Sequence, residues 1–104
     1  MRGNIFAISE TPQTGELTEE ILHYKNVRIK RIVSSDQLER DTFCQQEAEW
    51  VCLLEGSADI VMDTQTYHLQ KGDFLFIPPL HEHTVTSVAK GTVWLALHIY
   101  EEEV

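Results

Sequence analysis

Two residues of this 104-residue chain have a side chain and a setting suited to chemistry, Glu49 and His83. Glu49 opens the apolar run EWVCLLEG, and an ionised carboxylate beside such a run must be paired, coordinated or placed at the mouth of a cavity. His83 could bind a metal ion or a polar ligand through its imidazole. The plainer alternatives are an exposed Glu49 near the turn CQQEA and a buried His83 with one hydrogen bond. We expect both side chains to face one interior cavity.

A small set of further residues could complete a site around this pair. They are Gln45, Gln46, His81 and His98, with Cys44 as a softer donor. A glutamine carbonyl is a weak ligand for hard or borderline cations, and a thiolate binds softer metals. We expect His81 at the rim in solvent, and His98 fits a core or rim position as well as a ligand. Two imidazoles and one carboxylate suit iron(II), and manganese, zinc or nickel would also accept them, so the sequence predicts either a divalent-metal site or a weak or absent one.

Aromatic residues offer the predicted cavity a second use. Trp50, Trp94, Phe74, Phe76 and Tyr67 could line an apolar pocket for a small molecule. Because barrels of this size are mostly filled by side chains, we expect most of these rings in the core.

Short strands separated by turns must position these residues. From residue 43 to residue 100 the chain reads as strands of about five to eight residues joined by turns of about two to five. Gly56 ends one strand, residues 63–64 mark a hairpin, and the prolines at 78–79 stop a strand because proline cannot donate to a ladder. Since no helical span of ordinary length intervenes, the pattern predicts an all-β sandwich or barrel.

The first part of the chain is less regular. Residues 4–8 are predicted to form a short opening strand, followed by a loop through Gly15. Residues 17–26 fit either a helical stripe or an extended segment, and we favour the strand. Residues 27–33 alternate apolar and charged side chains, which indicates a half-buried strand.

Two stretches of the second half resemble the signature motifs of the cupin family. The first family motif has a His-x-His pair, then a Glu, six residues and a Gly, and here Glu49 precedes Gly56 by that interval. The second has a Gly, five residues, a Pro, one residue, a Gly, two residues, a His, three residues and an Asn. Here Gly72, Pro78 and His83 stand at their places, whereas Leu80 replaces the second Gly and Ser87 replaces the Asn. The resemblance implies a double-stranded β-helix, or jelly-roll barrel, with one domain over residues 1–104, its core at about 27–100 and an N-terminal strand and loop at 1–26.

The chain departs from the family pattern where the ligands should be. The His-x-His pair is missing, and its places fall either on Thr42 and Cys44 or on Phe43 and Gln45. A metal held here would therefore bind more weakly than in a His-rich member. Family likeness also implies a homodimer.

Composition narrows the classes of partner. With 8 Lys and Arg against 17 Asp and Glu, the net charge is −9, so we expect no nucleic acid and no anionic membrane as a partner. No apolar run approaches the ~20 residues of a membrane helix, and the start lacks the apolar core of a signal peptide, so we expect a cytoplasmic protein. The two cysteines are too few for a disulfide framework.

Three functions remain open at this point. The first is a binding module whose barrel holds a small molecule, with or without a divalent metal, and it is the one we favour. The second is a metal-dependent enzyme of the dioxygenase, isomerase or epimerase type in the same pocket. The third is an interaction role through a dimer face such as the apolar strand VWLALHIY.

Overall fold

The computed structural model describes residues 1–8 and 10–102, and its regular structure there is entirely β. The strands are β1 (Glu16–Tyr24), β2 (Val27–Ser34), β3 (Thr42–Phe43), β4 (Ala48–Glu55), β5 (Ser57–Met62), β6 (Gln65–Gln70), β7 (Phe74–Ile77), β8 (His83–Val88) and β9 (Thr92–Ile99). The all-β prediction is confirmed. Within the same residues, no helix is long and apolar enough to cross a membrane.

Two antiparallel sheets form the barrel. The five-stranded sheet has the order β1-β2-β9-β4-β7, and the four-stranded sheet has the order β3-β8-β5-β6. Strands that are consecutive in the chain repeatedly fall in different sheets, as in the jelly roll that the sequence predicts. A cluster of buried apolar residues fills the space between the sheets: Val51, Leu53, Ala58, Ile60, Met62, Leu69, Ile77, Trp94 and Ala96.

The corner between β4 and β5 depends on Gly56. Its φ of +93° lies in the left-handed region, which side chains rarely adopt. A Cβ at this position would also stand 2.8 Å from the Cα of Thr92, so only glycine lets β9 pass this close. The sequence prediction of a strand end at Gly56 therefore has both a conformational and a steric cause.

The predicted hairpin between β5 and β6 is confirmed. Asp63 and Thr64 both have positive φ, 52° and 64°, which is the geometry of a two-residue turn matched to the twist of the paired strands. The register then places Met62 opposite Gln65.

The N-terminal prediction is right in one part and wrong in the other. Residues 17–24 are extended as favoured, within β1 (Glu16–Tyr24), whereas residues 25–26 form the turn into β2. Residues 4–8 form no strand, because the side chain of Asn4 accepts a hydrogen bond from the amide of Phe6 at 2.8 Å and closes a turn. The guanidinium of Arg31 then donates to the carbonyls of Ile5 and Ala7, which holds the segment against the barrel without strand pairing.

Candidate functional site

A cavity of about 200 Å³ opens between the two sheets. Its polar lining residues are Glu16, Thr18, Lys30, Gln45, Glu49, His83 and His98, and its apolar ones are Ile32, Phe43, Val51, Ile60, Ile77 and Trp94. Four of the predicted site residues are thus brought together at one cavity.

Neighbouring strands of the five-stranded sheet place Glu49 beside His98. β4 and β9 pair in a register that puts the two residues directly opposite each other. Both residues are buried, with Glu49 8% exposed and His98 9% exposed. Nε2 of His98 lies 3.7 Å from Oε2 of Glu49, while Nδ1 of the same ring lies 3.0 Å from Oε2 of Glu47. The imidazole therefore sits between two carboxylates, within hydrogen-bond distance of Glu47 and just beyond that distance from Glu49.

The pKa of Glu47 follows from this arrangement. Burial opposes its ionisation, but hydrogen bonds from its own backbone amide, from Tyr100 and from His98 outweigh burial and lower the pKa of Glu47. Glu47 is thus held as a carboxylate that orients His98 toward Glu49.

Gln45 completes the group on the other side of Glu49. Its amide Nε2 donates to Oε1 of Glu49 at 2.6 Å, so both carboxylate oxygens of Glu49 have a neighbour. The adjacent residues Gln46 and Cys44 are exposed and do not line the cavity.

His83 faces the cavity from the opposite sheet. It is 5% exposed at the start of β8, and its ring stacks on that of Phe43 with 5.7 Å between centroids. Nδ1 lies 3.2 Å from the carbonyl oxygen of His81, so this nitrogen is the donor and Nε2 of a neutral ring is left as an acceptor for a ligand. The side chain of His81 is elsewhere, with Nδ1 3.1 Å from the carbonyl of Pro79 and Nε2 3.5 Å from a carboxylate oxygen of Asp63.

The sequence analysis missed Glu16, which lines the mouth of the cavity from the edge strand β1. Ser34 donates to Oε2 of Glu16 at 3.0 Å and itself accepts the indole N–H of Trp94 at 2.9 Å. Glu16 is an exposed residue, but partial burial of its carboxyl group raises its pKa; the Ser34 hydrogen bond opposes this in part, and the nearby charge of Glu49 adds to the rise. The signal that could have found it is the β1–β2 hairpin, whose register pairs Glu16 with Ser34.

The residues present do not fit a cupin metal ion. Phe43 and Gln45, not Thr42 and Cys44, line the cavity at the two places of the missing His-x-His pair. An aromatic ring and an amide thus replace two imidazoles, and the ring covers one face of His83. Over residues 1–8 and 10–102, no group of three or more His, Cys, Asp and Glu side chains is placed to hold a metal.

Comparison with known proteins agrees with the geometry of the barrel. The sequence model of the Cupin domain family matches residues 43–100. A candidate mannose-6-phosphate isomerase from Ralstonia eutropha JMP134 is 31% identical, with 97% of this chain and 99% of that chain covered and a TM-score of 0.86. No curated protein matches the chain.

More distant structures share the fold alone. A cupin superfamily protein from Desulfitobacterium hafniense DCB-2 is 20% identical over 89% of this chain and 84% of that chain, with a TM-score of 0.76. An RmlC-like cupin from Shewanella frigidimarina NCIMB 400 is 16% identical over 97% and 95% of the two chains, with a TM-score of 0.74.

Proposed function

The chain belongs to the cupin family, and from this premise we propose that its barrel cavity binds a small organic molecule rich in hydroxyl or amino groups, without a resident metal ion. One observation carries the proposal. Glu49, His83 and His98 come from three strands of two sheets, and each is at least nine-tenths buried against the same cavity. Burying three such groups costs free energy, and a bound polar molecule would offset that cost.

The size of the cavity limits the ligand. Its volume of about 200 Å³ is below the roughly 300–1,000 Å³ of sites for drug-sized molecules. The ligand is therefore a small metabolite that the cavity encloses on several sides.

The chemistry of the lining sets the polarity of the ligand. Glu16 and Glu49 present carboxylate oxygens, and Nε2 of His83 adds an imidazole acceptor. These groups favour hydroxyl and amino donors, while Lys30 is the one Lys or Arg among the described lining residues. Trp94 and Ile60 supply an apolar wall for the carbon skeleton. A phosphate group would meet two carboxylates at close range, so a neutral or cationic molecule fits better than a phosphorylated one.

A binding screen with one matched pair of variants tests the proposal. Protein purified without added metal is screened by thermal shift against monosaccharides, amino sugars and polyols, each beside its phosphorylated counterpart. We expect stabilisation by an unphosphorylated compound, and a loss of affinity of about tenfold or more, equal to about 1.4 kcal/mol, in Glu49→Gln. Glu55→Gln, at the exposed end of the same strand, is the control and should bind normally.

Three results would contradict the proposal. One is binding that Glu49→Gln and Glu55→Gln weaken equally. Another is a preference for the phosphorylated compounds. The third is a stoichiometric metal that disappears in His83→Ala.

A second candidate function is acid–base isomerisation in the same cavity, favoured by the two carboxyl groups, Glu16 and Glu49, that line it. Glu16 keeps its proton to a higher pH than an ordinary glutamate because of burial and the neighbouring charge of Glu49. Carboxyl groups at one cavity can take up and return a proton, and the relative from Ralstonia eutropha JMP134 is named for a sugar-phosphate isomerisation. Turnover of aldose and ketose sugars followed by proton NMR, with Glu49→Gln as the inactive variant, would separate catalysis from binding.

A further inference from the structure

The buried polar atoms that face the cavity accept hydrogen bonds, and a nitrogen of His83 is the first of them. Nδ1 of this ring lies 3.2 Å from the carbonyl oxygen of His81. Because a carbonyl can only accept, the single hydrogen of the neutral ring is on Nδ1. His83 is 5% exposed, and no hydrogen bond reaches its Nε2 from the described part of the chain. This nitrogen therefore presents a lone pair to the cavity.

His98 presents a second acceptor of the same kind. Nδ1 of this ring lies 3.0 Å from a carboxylate oxygen of Glu47, so Nδ1 carries the hydrogen. Nε2 lies 3.7 Å from Oε2 of Glu49, which is too far for a hydrogen bond. Since the neutral ring has one hydrogen and Glu47 accepts it, Nε2 also presents a lone pair. Glu47 thus decides that the nitrogen of His98 nearest to Glu49 is an acceptor.

Glu49 supplies the third acceptor. The amide of Gln45 donates to Oε1 of Glu49 at 2.6 Å. Over residues 1–8 and 10–102, no hydrogen bond is made to Oε2, the oxygen nearest to His98. Three acceptors from two sheets thus line one cavity, and the protein supplies no hydrogen for any of them. A ligand that brings several hydrogens would complete this site.

The charge around His98 favours a cation. The side chains of Glu47 and Glu49 are 14% and 11% exposed, and His98 lies between them. Among the residues that the structure describes, no lysine or arginine nitrogen lies within 4.0 Å of either carboxylate. This holds for Lys30 too, although Lys30 lines the cavity. Buried carboxylates without a cationic partner cost free energy, and a cation in the cavity would offset that cost.

An ammonium group matches this set of acceptors. It carries three hydrogens and one positive charge, whereas a hydroxyl group has one hydrogen to donate. A nitrogen about 2.9 Å from Nε2 of His98 and from Oε2 of Glu49 can donate to both across the 3.7 Å between them. A metal ion needs shorter bonds, of about 2.0–2.2 Å, and no three His, Cys, Asp and Glu side chains within residues 1–8 and 10–102 are placed to hold one. The spacing therefore favours an organic ammonium ion.

We propose that the cavity binds a primary amine, whose ammonium group donates hydrogen bonds to Glu49, His83 and His98. This inference rests on the proposed function and narrows its hydroxyl- or amino-bearing ligands to amines. Glu47 is a positioning residue, because it does not line the cavity and acts by keeping the hydrogen of His98 on Nδ1.

Matched compounds test the class of ligand. Isothermal titration calorimetry near neutral pH compares a hexosamine with its parent hexose and its N-acetyl derivative, and an amino alcohol with the diol of the same length. In a set that binds, the amine should bind about tenfold or more tighter than its hydroxyl or N-acetyl counterpart. Hydroxyl compounds that bind as tightly as their amines would overturn the inference and leave the proposed function standing. No binding in either set would overturn both.

Glu47→Gln tests the positioning role. The amide of a glutamine can donate to Nδ1 of His98, which moves the ring hydrogen to Nε2, where it opposes the ammonium group. Affinity for the amine should fall about tenfold or more, while affinity for the parent hydroxyl compound should change less than about twofold. Glu55→Gln, at the exposed end of β4, is the control and should bind the amine normally, and circular dichroism checks both folds. Equal losses for the amine and the hydroxyl compound would overturn the role of Glu47.

Nitrogen-15 NMR of the imidazole rings gives a readout that does not depend on the choice of ligand. The chemical shift of a ring nitrogen distinguishes one that carries a hydrogen from one that presents a lone pair. In the ligand-free protein near neutral pH, we expect the hydrogen on Nδ1 of both His83 and His98. In Glu47→Gln, it should move to Nε2 in His98 alone. A hydrogen on Nε2 of His98 in the wild-type protein would overturn the inference.

Discussion

The outer faces of the two sheets differ in polarity: the face of the four-stranded sheet is polar, and that of the five-stranded sheet is largely apolar. On the four-stranded sheet, Asp59, Ser87 and His68 form a hydrogen-bonded group in solvent. On the five-stranded sheet, Trp50 and Phe76 occupy the corresponding outward positions. One barrel thus has one polar outer face and one largely apolar outer face.

The five-stranded sheet also reverses the usual order of its own two faces near the cavity. In β4, Glu49 points inward and Trp50 points outward, and in β9 the same holds for His98 and Leu97. Polar groups of this sheet are buried at the cavity, where a ligand can pair with them, and apolar groups are exposed on its outer face. The five-stranded sheet therefore supplies most of the polar cavity lining, and the other sheet contributes His83.

The largest expected effect is at the corner that joins the two sheets. Gly56→Ala adds a Cβ in a left-handed conformation, which costs about 1–2 kcal/mol, and presses it against Thr92, which costs about 1–3 kcal/mol more. Urea unfolding should show a loss of roughly 2–5 kcal/mol.

Gly72→Ala provides the matched control for this prediction. Gly72 has a similar φ of +90°, but nothing lies within 4 Å of the added Cβ. Its loss should therefore be limited to the conformational cost of about 1–2 kcal/mol. Equal losses in the two variants would show that contact with β9 does not hold the corner.

The second prediction compares the two tryptophans of the five-stranded sheet. Trp94→Phe removes a buried indole and leaves the hydroxyl of Ser34 without its donor, so the free energy of unfolding should fall by about 1–3 kcal/mol. Trp50→Phe on the outer face should cost less than about 1 kcal/mol. A larger loss at Trp50 than at Trp94 would reverse the assignment of the two faces.

Much of the fold could be predicted because its determinants are local in the sequence. Strand ends are set by the backbone conformation of single residues or pairs. Gly56 and the Asp63–Thr64 turn have positive φ, and Pro78 follows the last residue of β7. The prediction of a strand at residues 4–8 is wrong because the side chain of Asn4 closes a turn, which the apolar pattern does not reveal.

The site depends on pairing between distant strands, which the sequence does not specify. Glu16 reaches the cavity only because β1 pairs with β2, and Glu47 meets His98 across 51 positions of sequence. The aromatic residues show the same limit. Trp94 lines the cavity, whereas Phe74 and Phe76 point away from it, and the registers of β9 and β7 with β4 decide this.

The third prediction concerns Glu16, the carboxyl group at the cavity mouth. Its pKa is raised in the folded chain above the ordinary 4.5, so the folded state is most favoured below about pH 4.5 and loses that advantage as pH rises through the higher value. Glu16→Gln keeps an acceptor for Ser34 and removes the partly buried charge, so the Tm at about pH 7 should rise. Because solvent screens the charges, the rise should not exceed about 4 °C. The gain should vanish below about pH 4, and a Tm lowered at neutral pH would contradict the account.

The smallest expected effect is a change of Tm of opposite sign. It concerns Asp59, on the polar outer face of the four-stranded sheet. Hydrogen bonds from His68 and Ser87 lower the pKa of Asp59 below the ordinary 3.8, so its contribution is present above that pH and is lost as pH falls through the lower value. Asp59→Asn should lower the Tm at about pH 7 by no more than about 2 °C, and the difference should disappear in acid. A pH dependence with the same sign as that of Glu16→Gln would remove the electrostatic contrast between the two regions.

A crystal structure with anomalous data at the iron, manganese, nickel and zinc edges tests the central claim most directly. The crystals should come from protein purified without chelator and soaked with the strongest compound of the binding screen. The account predicts electron density for that compound between Glu49 and His83, with no anomalous peak in the cavity. A metal peak at about 2.0–2.2 Å from Glu49 and His83, or density for the compound at another place on the molecule, would contradict it.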